Sequence, residues 1–157
     1  MLGALAIKYT FGHPELGQTP ETGFDCSGFV RYVLLKSGLV VPDYLDLESK
    51  QNPIRHVNEF WDYYGVFIHP ELQRPGDLIF FSGNGYFPQH VGIVNSPDTY
   101  IHKGDSQIVE SQIVEEELNA DPRTTDLRLT FTKNPIGYKS PTITLPSVNY
   151  RYNKKSI

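Results

Sequence analysis

The sequence predicts an α+β domain, in which helices come first and an antiparallel sheet follows. Two observations carry this reading. Between Asp25 and Tyr64 apolar residues recur at helical spacing, whereas from Asp77 onward the chain breaks into short β-type runs separated by turn residues. A length of 157 residues suits one domain with its own core. Residues 1–140 are expected to form that domain, with residues 141–157 as a C-terminal tail or last strand.

Residues 12–24 are rich in Gly, Pro, Thr and Glu and read as a loop. The first helix should start after Asp25, a good N-cap. Phe29, Val30, Val33 and Leu34 share one face, Lys36 sits in the last turn and Gly38 closes the helix. A second helix is expected from Pro53 to Tyr64, with Asn52 as cap, Pro53 at the first helical position, and Ile54, Val57, Trp61 and Tyr64 on one side. Strands are expected at Leu78–Phe81, His90–Val94, Thr99–His102, within Ile108–Leu118 and at Leu127–Phe131, which gives a sheet of about five strands.

Composition narrows the function classes. A hydrophobic fraction of 39% with 20% charged residues is globular in character. No run approaches the roughly 18 apolar residues of a membrane helix. A formal charge of -4 gives no basic footprint, which argues against nucleic acid and against an anionic membrane surface as partners. The apolar stretch Met1–Lys8 lacks a basic leader and is too short for a secretory signal, so export, if needed, is expected to come another way or to use a leader that has been removed. The single cysteine excludes an internal disulfide and leaves a thiol that is either inert or chemical.

That thiol, Cys26, stands at the start of the first helix. There, unpaired backbone N–H groups and the helix dipole favour negative charge and are expected to lower its pKa from about 8.5. The same N–H groups suit a developing oxyanion, and an adjacent imidazole would complete the activation. Two histidines qualify. His90 opens His-Val-Gly-Ile-Val and His102 closes Tyr-Ile-His. If these runs are neighbouring antiparallel strands joined at Asn95–Asp98, the imidazoles come side by side. His90 can then serve as base to Cys26 while His102 fixes its tautomer through the far ring nitrogen.

Four segments now stand in order: Phe24-Asp25-Cys26-Ser27-Gly28-Phe29-Val30, Pro75-Gly76-Asp77-Leu78-Ile79-Phe80-Phe81, His90-Val91-Gly92-Ile93-Val94 and Tyr100-Ile101-His102. Together they closely resemble the NlpC family of cell-wall endopeptidases, over Tyr9 to about Tyr138. The resemblance implies a papain-like fold and hydrolysis of an amide bond in peptidoglycan stem peptide, usually between D-glutamate and the following diamino acid. It maps the nucleophile onto Cys26, the base onto His90 and the third polar residue onto His102, and suggests Tyr9, Asp25 and Ser27 as substrate-binding residues. It implies no cofactor. The partner expected is the stem peptide, with an inhibitor or immunity protein as a further option, and the site of action would be the wall or the periplasmic or extracellular space.

Other readings share these residues. A papain-like scaffold also suits an N-acetylmuramoyl amidase, or a thiol-dependent acyltransferase or deamidase. Outside catalysis, Cys26, His90 and His102 could ligate zinc, although no short Cys/His ligand pair supports it. An inactive wall-binding module would be expected to carry a damaged triad.

Overall fold

The structure is a computed structural model, which describes residues 18–83, 87–113 and 135–141. The expected strand Leu127–Phe131, the tail beyond Pro141 and Tyr9 lie outside the described residues.

Helix α1 spans Cys26–Lys36. Its start is fixed as the sequence suggested: the Asp25 carboxylate accepts the Gly28 N–H at 2.7 Å. At the other end Gly38 takes a left-handed φ of 78°, and the Leu39 N–H reaches back to the Leu34 carbonyl at 3.0 Å.

The next segment departs from expectation. Gln51–Pro53 forms strand β2, which pairs antiparallel with β1 (Asp43–Leu45) in a small hairpin. Helix α2 therefore starts later, at Val57, and ends at Tyr63. The cap is not Asn52. The Glu59 carboxylate turns back to accept the backbone N–H groups of Arg55 and His56, each at 2.7 Å, and satisfies donors that the helix start leaves open. Pro53 at a helix start and Pro53 at the end of a strand look alike locally, and pairing with Asp43 decided between them.

Among the described residues the main sheet has six strands, in line with the expectation of about five: β3 (Val66–Ile68), β4 (Leu78–Phe81), β5 (His90–Ser96), β6 (Thr99–Lys103), β7 (Ile108–Gln112) and β8 (Pro135–Ser140). Their order is β3-β8-β4-β5-β6-β7, and every pair is antiparallel. Strands β4 to β7 match the expected runs. Strands β3 and β8 add the second edge, with β8 inserted between β3 and β4.

Alternation along the strands divides the interior in two. Leu78, Phe80 and Val91 face α1 and α2, packing with Phe24, Phe29, Val30, Leu34, Ile54, Phe60 and Tyr64. Ile79, Phe81, Val94, Tyr100 and Tyr138 form a second cluster on the opposite face. Burial on both faces explains why Leu78–Phe81 reads as an unbroken apolar run. Each such fully buried side chain contributes about 1.5–3 kcal/mol.

Lys139 joins α2 to the sheet. It is 2% exposed, and its ammonium donates to the carbonyls of Phe60 and Trp61 in the last turn of α2, where the helix dipole favours a cation. Among the described residues, no helix is long and apolar enough to cross a membrane.

Tyr64 carries a defect in this core. Its ring is 1% exposed, yet its hydroxyl has no hydrogen-bond partner among the described residues, and burial pushes its pKa up to about 12. Tyr64→Phe keeps the ring and removes the orphaned hydroxyl, so it is expected to raise stability by about 1 kcal/mol in urea denaturation. An unchanged or lowered midpoint would mean that water satisfies the hydroxyl.

Candidate active site

Cys26 is the first residue of α1 and is half-buried. The backbone of Val91, the residue after His90, and that of Ser27 and of Cys26 itself act to lower the pKa of its thiol. Those backbone groups favour the thiolate, as a helix start should. They do not prevail. Burial, together with the neighbouring Asp25 carboxylate, pushes the thiol up to about 11. The expectation of a lowered pKa is thus corrected: the helix start supplies N–H donors, but the apolar surroundings outweigh them and the resting sulfur is a neutral thiol.

His90 opens β5 and His102 lies on β6, as the two-strand argument required. The strands pair Ile93 with Ile101 and Val94 with Tyr100, around a turn at Pro97 and Asp98. His90 Nε2 and His102 Nδ1 lie 2.7 Å apart with the rings nearly perpendicular at 86°. Phe81 and Tyr100 pack against this pair from the second core cluster. Burial in that aromatic setting lowers His90 to about 3, with His102 adding to the effect, and lowers His102 to about 4. Both rings are neutral at pH 7.

Gly92 makes this juxtaposition possible. A Cβ there would lie 2.7 Å from Tyr100 Cδ2 and 3.1 Å from His102 Cβ, so any larger residue would push His102 out of line.

Asp25 and Ser27 flank the thiol within a buried polar cluster. Arg55, 3% exposed, binds Asp25 in a fork, with its two terminal nitrogens at 3.0 and 2.6 Å from the two carboxylate oxygens. The same guanidinium donates to Ser27 Oγ at 3.0 Å. Gln18 completes the cluster by accepting the Asp25 N–H at 2.9 Å. A Cβ at Gly28 would fall 1.8 Å from Gln18 Oε1, so Gly28 admits that side chain.

Sequence reasoning missed Arg55, Gln18 and Ser111, whose Oγ lies 2.9 Å from His102 Nε2. Arg55 stands 30 residues from its partner Asp25, and no local pattern signals such a pairing. Ser111 could have been found by extending the two-strand argument to the third strand. The facing nitrogens of His90 and His102 are bonded to each other, which takes those two atoms from any metal. Among the described residues, no three His, Cys, Asp or Glu side chains gather to hold a metal.

A thiol at a helix start beside an antiparallel sheet that carries a bonded histidine pair defines the class of papain-like α+β domains. Within that class the chain belongs to the NlpC/P60 family, whose model matches residues 7–127. Curated relatives include gamma-DL-glutamyl hydrolase of Bacillus subtilis strain 168, 33% identical over 107 residues, covering 68% of this chain and 21% of the relative. Another is the bifunctional muramidase/DL-endopeptidase CwlT of the same organism, 31% identical over 112 residues, covering 69% of this chain and 30% of the relative. The chain thus spans less than a third of the length of these two relatives. Among solved structures, an NLP/P60 family protein similar to lipoprotein, from Staphylococcus aureus, superposes with a TM-score of 0.55 at 24% identity, covering 87% of this chain and 37% of that one.

Proposed function

We propose that this chain is a cysteine endopeptidase that hydrolyses an amide bond of peptidoglycan stem peptide, between D-glutamate and the following diamino acid. The observation that carries the reading is the 2.7 Å bond between His90 Nε2 and His102 Nδ1, with His90 on a strand that packs against the helix opened by Cys26. The names of the two Bacillus relatives, a γ-DL-glutamyl hydrolase and a DL-endopeptidase, support a bond next to glutamate.

With Nε2 committed to His102, Nδ1 is the nitrogen by which His90 serves the thiol. The thiol is neutral at rest, so the proton moves to His90 as sulfur attacks the carbonyl, with no standing ion pair beforehand. The backbone N–H groups at the start of α1 receive the oxyanion. Collapse of the tetrahedral adduct expels the amine, which takes the proton from His90 and leaves a thioester on Cys26. Water, deprotonated by His90, then attacks the thioester and releases the carboxylate and the thiol. Asp25 and Ser27 form one wall of the substrate site, with Arg55 holding both in position, and Tyr9 is kept as a further substrate-binding residue on the family resemblance alone.

The test is digestion of purified peptidoglycan of defined stem chemistry, with fragments identified by mass spectrometry. Wild type should release fragments cut after D-glutamate, and Cys26→Ala should release none. Cys26-dependent cutting at the muramoyl–alanine bond would make the chain an amidase instead. No Cys26-dependent product from any wall type would sink the peptidoglycan reading and turn the search to protein or lipid acyl substrates.

A further inference from the structure

We propose that Ser111 is a positioning residue that sets the proton arrangement of the histidine pair, by accepting a hydrogen bond from His102 Nε2. The direction of the proton arrangement and its effect on rate rest on the hydrolase reading above; the contacts that carry it are geometric.

Three adjacent strands supply one polar side chain each to the same sheet face. Continuing the β5–β6 register by one residue from Ile93 and Ile101 sets Gly92 opposite His102, so His90 lies two residues along from the point facing it. In the β6–β7 pairing His102 faces Val109 and Tyr100 faces Ser111, so Ser111 is displaced by two residues again. The result is a diagonal line in which His90 Nε2 meets His102 Nδ1 at 2.7 Å and His102 Nε2 meets Ser111 Oγ at 2.9 Å.

Donor and acceptor arithmetic then fixes the direction of the line. For His90 to receive a proton on Nδ1, that nitrogen must be bare and Nε2 must carry the hydrogen. His90 Nε2–H donates to His102, so His102 Nδ1 must be bare too. A neutral His102 with a bare Nδ1 carries its hydrogen on Nε2, and the atom facing that hydrogen is Ser111 Oγ. The ring is 5% exposed, so this N–H needs a protein acceptor more than a surface imidazole would. Without the hydroxyl, His102 is free to hold its hydrogen on Nδ1, which would confront His90 Nε2–H and reverse or break the line.

The tautomers can be read directly. In protein with 15N-labelled imidazoles at pH 7, long-range 1H–15N correlation should show both His90 and His102 of wild type protonated at Nε2 only. Ser111→Ala should give His102 a mixed or Nδ1–H pattern, and Ser111→Thr should restore the wild-type pattern. In the wall-digestion assay, Ser111→Ala should lower kcat by on the order of tenfold with KM little changed, and Ser111→Thr should recover it. His102 protonated at Nδ1 in wild type, or unaltered tautomers in Ser111→Ala, would overturn the proposal. A chain with no hydrolytic activity in any form would remove the hydrolase reading, yet the spectra would still decide the role of Ser111.

Discussion

Replacing Arg55 by leucine is expected to lower the unfolding free energy by about 3–5 kcal/mol. The side chains of Arg55 and Asp25 are 4% and 17% exposed, so the pair is largely shielded from water. Leucine would strip Asp25 of both guanidinium bonds and Ser27 of its donor, and leave a poorly hydrated carboxylate with the Gly28 N–H, the Ser27 hydroxyl and a long contact from Gln18. The loss comes mainly from the stranded charge. The double variant Arg55→Leu/Asp25→Asn should therefore recover part of it, at the expense of a weaker cap on α1. Urea denaturation of the four proteins checks this, and a loss under about 1 kcal/mol in Arg55→Leu would mean that solvent reaches the carboxylate.

Mild acid should destabilise the protein through the two buried imidazoles. Folding lowers His90 to about 3 and His102 to about 4 from the ordinary 6.5, because burial disfavours their charged forms. Below pH 6.5 the unfolded chain binds protons that the folded chain does not. Their contribution is thus fully present above about pH 6.5 and is lost as pH falls towards about 4 for His102 and about 3 for His90. Each group contributes a slope of about 1.4 kcal/mol per pH unit within its window. Between pH 7 and pH 5 the pair accounts for a loss on the order of 4 kcal/mol. Urea midpoints of wild type and His90→Phe/His102→Phe at the two pH values measure it. The variant should respond far less, and parallel responses would show that the imidazoles are not the cause.

Much of the candidate site's arrangement was readable in advance because it is local in two separate places. Asp25 and Cys26 lie at one helix start, and His90 and His102 lie on two strands joined by a short turn, so neither the cap nor the imidazole contact needs knowledge of the remaining fold. What escaped was set by distant partners. Arg55 meets Asp25 across 30 residues. Strand β8 carries Pro135 and Gly137 and has little intrinsic strand preference, yet it pairs with β3 and β4 on either side. The thiol's pKa followed the same pattern: the helix start argued one direction, and packing that no local motif encodes imposed the other.

The diagonal from His90 to Ser111 also makes β7, the last strand of the sheet on that side among the described residues, a checkpoint for assembly. Side chains alternate faces along a strand, so a slip of one residue in either pairing would turn a member of the line away from its partner. A molecule whose helices and central strands were complete but whose outermost strand was misaligned would retain its core and its thiol. Under the proposed mechanism it would nevertheless stay silent. Activity under that mechanism thus depends on the register of the outermost described strand as well as on the core.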